Sequence, residues 1–502
     1  MATTETKSSA PAVATRPGWF RAYWKLLLAV AGLIAVLLLP TPAGLPVAGQ
    51  YMLAVLVFAV AVWMTEALDY AVSAVVIAGL MSVLLGFAPN PANPGALMGT
   101  SAGLGLAFSG FSNSGLALVA SALFLAAAMT ATGLDKRIAL TILSRVGTDT
   151  RQVMIGLILV GFVISFLVPS TTARVACLVP ITLGIIAAFG VERRSRFAGM
   201  LMIITVQTAS IWNVGIKTAA AQNMVAIGFI EKMLHTTITW LDWFIAAAPF
   251  GVVMSIALYF IMNWMMPPEM RSVPGGRDGI RKSLAELGPM KLSEKKLLAL
   301  SLTLLAFWAT EGVLHRIDTS TTTVVAVALM FMPGIGIMTW KEAQPRIPWG
   351  TIVLFGVGIS LGSALLQTKG ASWLAQMLVK LLGLEQATAL FILGTMSLFL
   401  IVIHLGFASA TALASAMIPI VIAVLQNVIT PGINVVGMTM LMQFMVSFGF
   451  ILVVNAPQNM VAYGTDTFAA RDFIRTGLAI TVVGFLLVML LGATYWRWLG
   501  YV

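Results

Sequence analysis

Apolar runs of roughly 17 to 25 residues, separated by short polar connections, occupy most of this chain. About 20 consecutive apolar residues cross a bilayer as one helix, whereas a membrane barrel shows alternation over about ten residues. Backbone groups inside lipid must bond within a helix or a closed barrel, because no water is available to them. The run lengths therefore predict an all-α polytopic membrane protein.

Eleven of the apolar runs predict single transmembrane helices, at 23–40, 50–66, 70–88, 113–132, 197–230, 239–263, 297–314, 320–337, 350–367, 437–463 and 476–496. Two further apolar pairs, at 152–190 and 387–428, are each divided by a short polar motif and predict helical hairpins. Loop charges do not distinguish two full crossings from a re-entrant hairpin, since both routes return to the same side. We favour re-entrant hairpins, whose polar tips would lie at mid-membrane. Polar groups are energetically costly at that depth, so their presence there indicates a function.

The composition supports a membrane protein and narrows its chemistry. Hydrophobic residues make up 59% of the 502 positions and charged residues only 9%, against about 25% charged in a soluble domain. One Cys and three His argue against a disulfide framework and against a Cys/His metal site. The net charge of +11 comes from Lys and Arg in loops, so we expect a lipid bilayer as the partner and no nucleic acid.

The distribution of Lys and Arg predicts the orientation of the chain. Residues 1–22 form a polar tail that we expect to be disordered and cytoplasmic, and 264–296 form the most basic loop, also cytoplasmic. Counting spans from the tail places the C-terminus on the periplasmic side. The predicted location is the inner membrane of a bacterium, with multiple passes.

The two hairpins belong to an internal repeat. "FLVPSTTARVACLVPI" (166–181) aligns with "LGFASATALASAMIPI" (405–420) at a separation of 239 positions, and "QNMVA" occurs at both 222–226 and 458–462, a separation of 236. By the predicted spans the two units run in opposite directions through the membrane. Inverted repeats are the signature of secondary transporters, whose sites lie at the repeat interface near the midplane.

The repeat also predicts the domains and two broken helices. Residues 197–230 are interrupted around Gly215 and Lys217, and 437–463 are interrupted at Pro457. Freed carbonyls at such breaks bind cations, and the N-termini of half-helices attract anions. The predicted divisions are scaffold helices at 23–112 and 297–349, a first repeat core at 113–263 with a cytoplasmic-side hairpin, and a second at 350–502 with an outer-side hairpin.

These motifs resemble the divalent anion:sodium symporter superfamily, the INDY-like carboxylate transporters, over nearly all of the chain after about residue 20. The family's hairpin tips carry Ser-Asn-Thr; here the tips are Ser170-Thr171-Thr172 and Ser409-Ala410-Thr411, so Ser and Thr match twice and Asn is absent twice. Asn223 and Asn459 match the asparagine of the family's broken helices. The resemblance implies a homodimer that works by an elevator mechanism and carries C4–C6 di- or tricarboxylates, or sulfate.

The candidate substrate-binding residues lie at the two tips and the two breaks: Ser170, Thr171, Thr172, Arg174, Lys217, Asn223, Ser409, Thr411, Pro457 and Asn459. No cofactor is expected. If the sodium of the resembled family is retained, the resemblance places it near Ser170, Gly215, Thr411 and Ala456.

Several of these residues allow two interpretations. The Lys217 ammonium would replace the charge of a sodium ion, or it would snorkel to the membrane surface. Arg174 would form a bidentate fork with a carboxylate, or it would orient the tip through backbone carbonyls. The hydroxyl residues of the tips would cap helices, which is compatible with anion binding. His404 is either a buried structural histidine or a proton relay.

The resulting functional prediction is a secondary transporter of divalent organic anions such as succinate, malate, tartrate or citrate. Because both tip asparagines are absent while Arg174 and Lys217 are present, we predict sodium-independent anion exchange. Sodium- or proton-coupled symport of a dicarboxylate or sulfate is the alternative. A membrane enzyme is disfavoured, since the chain has no HExxH motif and no G-x-S-x-G motif in a suitable context.

Overall fold

The computed structural model of the chain describes residues 19–90, 93–147, 149–188, 190–269 and 276–502. Helices dominate these ranges. The predicted tail at 1–22 and the basic loop at 264–296 lie partly outside them. Within the described part, the first helix begins at Trp19 and so includes the last residues of the predicted tail.

The helices of the first half are α1 (Trp19–Leu38), α2 (Val47–Thr65), α3 (Tyr70–Gly86), α4 (Thr100–Phe108), α5 (Ser114–Thr132), α6 (Leu134–Leu143), α7 (Thr150–Leu167), α8 (Thr171–Ala188), α9 (Arg196–Gly215), α10 (Ala221–Leu234), α11 (Trp240–Met265) and α12 (Gly276–Glu286). A small antiparallel hairpin of β1 (Pro89–Asn90) and β2 (Asn93–Leu97) precedes α4.

The second half contains α13 (Leu292–Thr310), α14 (Thr319–Phe331), α15 (Trp340–Ala343), α16 (Trp349–Gln367), α17 (Gly370–Leu381), α18 (Ala389–His404), α19 (Ala410–Asn427), α20 (Val435–Val446), α21 (Pro457–Tyr463), α22 (Ala470–Ala493) and α23 (Tyr495–Trp498). In the described ranges, 3-10 turns lie at Ser109–Phe111, Lys217–Ala219, Gln344–Arg346 and Val453–Asn455.

The helices have the length and surface of membrane spans. In the described ranges, nine are long and apolar enough to cross a bilayer, and five shorter apolar helices accompany them. On α22, an exposed stripe of large apolar residues repeats every fourth position, as a lipid-facing surface requires: Leu478, Val482, Leu486 and Leu490. The opposite face of α22 is buried in the protein. The predicted all-α membrane architecture is confirmed.

Local capping explains where several helices begin. Thr239 and Asp242 form a capping box at the start of α11, and the side chains of Ser195 and Asp318 accept backbone N–H groups at the starts of α9 and α14. Such caps satisfy donors that have no partner in the first helical turn. They position the helix ends at the polar connections that the sequence pattern marks.

The inverted repeat is confirmed, and its elements keep nearly constant separations. Helices α8 and α19 begin and end 239 positions apart, and the 3-10 turns at Lys217–Ala219 and Val453–Asn455 lie 236 positions apart. At the same 236-position separation, Gly133 and Lys369 both adopt left-handed backbone conformations, with φ of 76° and 62°. Each of these two residues begins a short helix, α6 or α17.

Among the described residues, six short elements follow no apolar run and are absent from the predicted pattern. The connection at 89–112 contains β1, β2 and α4, the basic loop contains α12, and α6 and α17 follow the left-handed turns. Helices α6, α12 and α17 are amphipathic and about three turns long, so they leave no 20-residue apolar signal.

Packing between the halves brings the tips and breaks together. The second arm of the first hairpin, α8, packs against α9 of its own repeat and α21 of the other. In the same way, α19 packs against α20 and against α10. Each hairpin tip therefore lies beside a break from both repeats.

Candidate functional site

Each hairpin tip ends as a capped helix N-terminus. The Ser170 hydroxyl accepts the backbone N–H of Ala173 at 3.3 Å, and the Ser409 hydroxyl accepts that of Ala412 at 3.3 Å. The two contacts are equivalent in the repeat, at a separation of 239 positions. Helix N-termini carry partial positive charge and free N–H groups, so both tips offer favourable surroundings for an anion.

Both tips and both breaks line one cavity of about 620 Å³. This volume lies in the range of small-molecule sites. The polar part of its wall consists mainly of hydroxyl and amide side chains, and includes Thr130, Ser170, Thr171, Thr172, Asn213, Gln222, Thr351, Ser409, Thr411 and Gln458. The arrangement provides many donors and two helix N-termini around one space, which suits an oxygen-rich anion.

Asn223 and Asn459 bridge the two helix breaks in the same way. The Asn223 side-chain N–H group donates to the carbonyls of Asn213 at 2.6 Å and Ile216 at 3.2 Å. The Asn459 side chain donates to Gly449 at 3.0 Å and Leu452 at 3.2 Å. These carbonyls lie where each helix stops, and they would otherwise be buried without a partner. The asparagine of each QNMVA segment thus makes the same pair of bonds across its own helix break.

The residues beside these asparagines reach the cavity itself. Gln222 and Gln458 both line it, and the Gln222 amide donates to the Ser447 hydroxyl of the other repeat at 3.3 Å. Pro457 occupies the first position of α21, where a missing N–H is tolerated. In each QNMVA segment, the asparagine therefore bonds the carbonyls at the helix break, and the neighbouring glutamine forms part of the cavity wall.

Arg174 is fully buried behind the first tip. One nitrogen of its guanidinium donates to the carbonyls of Val168 at 3.1 Å and Ala219 at 3.0 Å. The other donates to the Asn213 side-chain oxygen at 2.5 Å and also contacts the Ala209 carbonyl and the Thr171 hydroxyl. Five oxygen atoms from the tip and the break therefore surround a single cationic group.

The equivalent position in the second repeat has no cationic side chain. Leu413 lies 239 positions after Arg174 and is buried. A neutral amide fills the space instead, since the Asn455 side chain donates to the carbonyls of His404 at 2.7 Å and Phe407 at 3.0 Å. The His404 ring is buried nearby, and neither of its nitrogens has a hydrogen-bond partner in the described residues.

Lys217 lies in the first break but points away from the cavity. Its ammonium donates to the Ile238 carbonyl at 2.6 Å and lies 3.5 Å from the Thr319 hydroxyl. That hydroxyl donates in turn to the Glu311 carboxylate at 2.5 Å, which also accepts the Trp240 N–H at 3.3 Å. All of these groups are buried, so Lys217 belongs to a polar network between the break and the helices α13 and α14.

Comparison with known proteins places this architecture in a family. A family model described as the sodium:sulfate symporter transmembrane region matches residues 21–502, which is nearly the whole chain. The chain belongs to the divalent anion:sodium symporter family. It is therefore a secondary transporter with multiple membrane passes, as the resemblance of its tips and breaks predicts.

Several relatives of this transporter align along most of their length. A membrane protein of Cupriavidus necator is 55% identical over 96% of this chain and 93% of the relative. The L-tartrate/succinate antiporter of Escherichia coli is 26% identical over 94% of this chain and 97% of the relative. The sodium-dependent dicarboxylate transporter SdcS of Staphylococcus saprophyticus is 25% identical over 93% and 89%, respectively.

A solved structure shares the fold. The YdaH transporter of Alcanivorax borkumensis superposes with a TM-score of 0.56 at 13% identity, over 84% of this chain and 97% of that chain. The likeness concerns the fold alone.

The predicted site residues of the transporter divide into two groups. Those that line the cavity are Ser170, Thr171, Thr172, Ser409, Thr411 and Pro457. Those that lie outside its wall are Arg174, Lys217, Asn223 and Asn459. Of the four positions named for sodium, Ser170, Thr411 and Ala456 line the cavity and Gly215 does not.

The wall also contains residues of the transporter that the sequence pattern does not indicate. Tyr70, Thr351 and Arg346 come from helices and turns far from either tip along the chain. Asn213 could have been predicted from the sequence, because it lies four residues before Lys217 in the polar interruption of the first broken helix. The others depend on tertiary packing and have no local signal.

Proposed function

We propose that this transporter exchanges C4 dicarboxylates, such as tartrate, succinate or malate, without using sodium. The single observation that carries the proposal is the position of Arg174. Unwound carbonyls at a helix break are the groups with which secondary transporters of this type hold sodium. Here the Ala219 carbonyl at the first break, together with the carbonyls of Val168 at the tip and Ala209 in α9, already bonds a guanidinium. This buried positive charge supports the proposal that the guanidinium takes the role of a bound sodium ion.

The link from this charge to the cavity runs through Thr171. The Thr171 hydroxyl lies 3.4 Å from the Arg174 guanidinium, donates to the Asn213 side chain at 2.8 Å, and belongs to the cavity wall. A dianion at the tip would therefore lie one residue away from the buried charge. In a low-dielectric interior an uncompensated charge is costly to move, and a bound dianion offsets that cost. Such a carrier returns across the membrane only when it is loaded, which is the requirement for exchange.

The substrate class rests on the cavity and on the relatives. Hydroxyl and amide donors, with two helix N-termini, suit the carboxylates of a short dianion. The tartrate/succinate antiporter aligns over nearly the whole chain at 26% identity, and its name describes this kind of exchange. Tricarboxylates and sulfate are the substrates that a competition assay should test against the C4 dicarboxylates.

Exchange is tested in liposomes that contain the purified protein. We expect labelled succinate to enter vesicles preloaded with unlabelled succinate at least about tenfold faster than empty vesicles, with or without sodium. Arg174→Gln should abolish this exchange or make it depend on sodium, whereas Arg174→Lys should retain part of it. Size-exclusion profiles of each variant control for folding. Sodium-driven accumulation in empty vesicles by the unaltered protein would refute the proposal.

Cation-coupled symport is the second candidate, and the second repeat supplies the observation that favours it. That repeat has no counterpart of Arg174, and His404 is buried there with two unpartnered ring nitrogens in the described part of the chain. A proton on His404, or a sodium ion beside it, would supply the second positive charge. The sodium-dependent relative SdcS supports this alternative. Uptake into empty vesicles that follows an imposed sodium or pH gradient would decide for symport.

We also propose that the transporter works as a homodimer in a bacterial inner membrane, with a cytoplasmic N-terminus and a periplasmic C-terminus. The loop charges support this orientation. We further propose that the cavity serves transport alone, because its described wall consists of hydroxyl, amide and apolar groups with one guanidinium. Sulfhydryl tags introduced at each terminus and labelled from one side of the membrane would test the orientation.

A further inference from the structure

One charged side chain occurs among the described residues that line the cavity, and it belongs to neither a tip nor a break. Arg346 ends the 3-10 turn at Gln344–Arg346, directly before α16. The segment lies within 297–349, which the repeat pattern assigns to the scaffold. The side chain is exposed at the edge of the cavity.

The charge of Arg346 is not neutralised by a direct ion pair. Its guanidinium donates to the backbone carbonyl of Glu342, and its other donors bond no acceptor in the described ranges. The Glu342 carboxylate is already engaged in the capping box of α15, where it accepts the Thr339 N–H at 2.7 Å and the Thr339 hydroxyl at 2.9 Å. Most of the donors of Arg346 are therefore free to meet a ligand.

The turn that carries Arg346 is anchored to its surroundings. Trp340 packs against Phe124 of α5 at 5.2 Å and Phe331 of α14 at 5.6 Å between ring centroids. The Trp349 indole donates to the Gln344 carbonyl at 3.1 Å across the turn. The turn is thus held by aromatic contacts to α5 and α14, and neither of these contacts involves a hairpin.

We propose that Arg346 is a capture residue that draws the dianion into the cavity from one face of the membrane. A cationic group at the mouth of a low-dielectric cleft raises the local concentration of anions and the rate of their entry. In an elevator-type carrier the tips move past the scaffold, so the site lies beside Arg346 in only one of the two end states. The apparent affinity for substrate should therefore differ between the two faces.

This inference rests on the proposed dianionic substrate. It adds the prediction that the transporter prefers dianions to monoanions. Arg346 attracts a dianion more strongly than a monoanion of similar size, because the Coulomb energy scales with the charge of the ligand. Succinate should therefore lose more affinity than its monomethyl ester when Arg346 is replaced. Salt should weaken entry in the unaltered protein, since exposed charges are screened within about 8 Å at physiological ionic strength.

The test compares Arg346→Gln with Arg346→Lys and with a matched control, Arg316→Gln. Arg316 is exposed in the same predicted scaffold segment and does not line the cavity. Succinate exchange is measured in right-side-out and inside-out membrane vesicles at low and high ionic strength. We expect Arg346→Gln to raise KM about tenfold on one face, to leave Vmax within about twofold, and to flatten the salt dependence on that face. Arg346→Lys should lose less affinity, and Arg316→Gln should match the unaltered protein.

The outcomes separate the two proposals. An equal change of KM on both faces, an unchanged KM, or the same effect in Arg316→Gln would overturn the capture role while leaving exchange intact. Unaltered protein that transports no dicarboxylate would overturn the proposed function, and with it the substrate on which the capture role depends. A variant with a normal size-exclusion profile and a KM change on one face supports the inference under either exchange or symport.

Discussion

At the scale of single residues, the paired asparagines show how a polar side chain can be buried for structure rather than for substrate. Asn223 and Asn459 both have no exposed surface, and each bonds two carbonyls at a helix break. The family resemblance predicts them as site residues, and in the structure they lie behind the cavity wall. Their neighbours Gln222 and Gln458 reach the cavity instead.

Replacing either asparagine by alanine should therefore destabilise the transporter. Each buried carbonyl that loses its partner costs about 1–3 kcal/mol, so the loss of two bonds should destabilise Asn223→Ala by roughly 2–6 kcal/mol. Asn459→Ala should lose a similar amount, because its two bonds are equivalent. Thermal unfolding in detergent measures both, with the exposed Gln386→Ala as the control. Two variants that unfold like the control would contradict the bridging role.

Lys217 provides a second prediction at this scale. Removing its ammonium alone leaves the Glu311 carboxylate buried without a nearby cation, which is strongly destabilising in a protein interior. We expect Lys217→Met and Glu311→Gln each to lower the unfolding temperature, and the double variant to recover most of the loss. Succinate exchange by the double variant then distinguishes a structural role of Lys217 from a role in transport. Lost exchange would indicate the cation-substitute function predicted from the sequence, and normal exchange would show that the network is structural.

At the scale of elements, the success of the sequence pattern depends on the length of each signal. Spans, hairpins and breaks carry apolar runs, tip motifs or an internal proline, and the structure has helices and interruptions at those places. Helices α6, α12 and α17 are only ten to twelve residues long and contain charged residues, so they cannot be predicted from an apolar run. In the site, the tips follow from local motifs, whereas Arg346 and Tyr70 reach the wall through contacts between distant segments.

The two left-handed turns give a prediction for elements. Gly133 adopts this conformation without strain, but Lys369 adopts it with a side chain, which costs about 1 kcal/mol or more. Lys369→Gly should therefore stabilise the protein by about 1 kcal/mol, and Gly133→Lys should destabilise it by a similar amount. The unfolding midpoints of Lys369→Gly and Gly133→Lys, each compared with that of the unaltered protein, test this prediction. Equal midpoints for both variants would mean that the turns relax out of the left-handed region.

At the scale of the whole molecule, two cavities share a wall. A second cavity of about 830 Å³ lies between α6, α8 and α12, and Thr130, Ala173 and Ala176 line both it and the cavity at the two tips. The two cavities therefore adjoin beside the first tip. We expect the second cavity to form a route from the tips past α12 to one side of the membrane. The single cysteine of the chain, Cys177, lies in the wall of this second cavity.

Chemical labelling of Cys177 therefore tests whether substrate passes through the second cavity. A charged thiosulfonate reagent applied from one side should inhibit exchange in the unaltered protein, because the adduct would occupy the path between the cavities. Cys177→Ser should transport normally and resist the reagent. Succinate present during labelling should slow the reaction. Equal labelling of Cys177 from both sides, or labelling without inhibition, would contradict a one-sided route through this cavity.

The buried guanidinium of Arg174 has a consequence for the energy that drives the carrier. A charge that crosses the membrane field gains or loses about 2.3 kcal/mol per 100 mV. In a one-for-one exchange of dianions, the protein travels with the same total charge in both directions, so the work done by the field cancels over a cycle. Neither voltage nor an ion gradient then sets the direction of transport. The concentration ratio of the two dicarboxylates sets it, and the cell can drive the import of one acid with the outward flow of another.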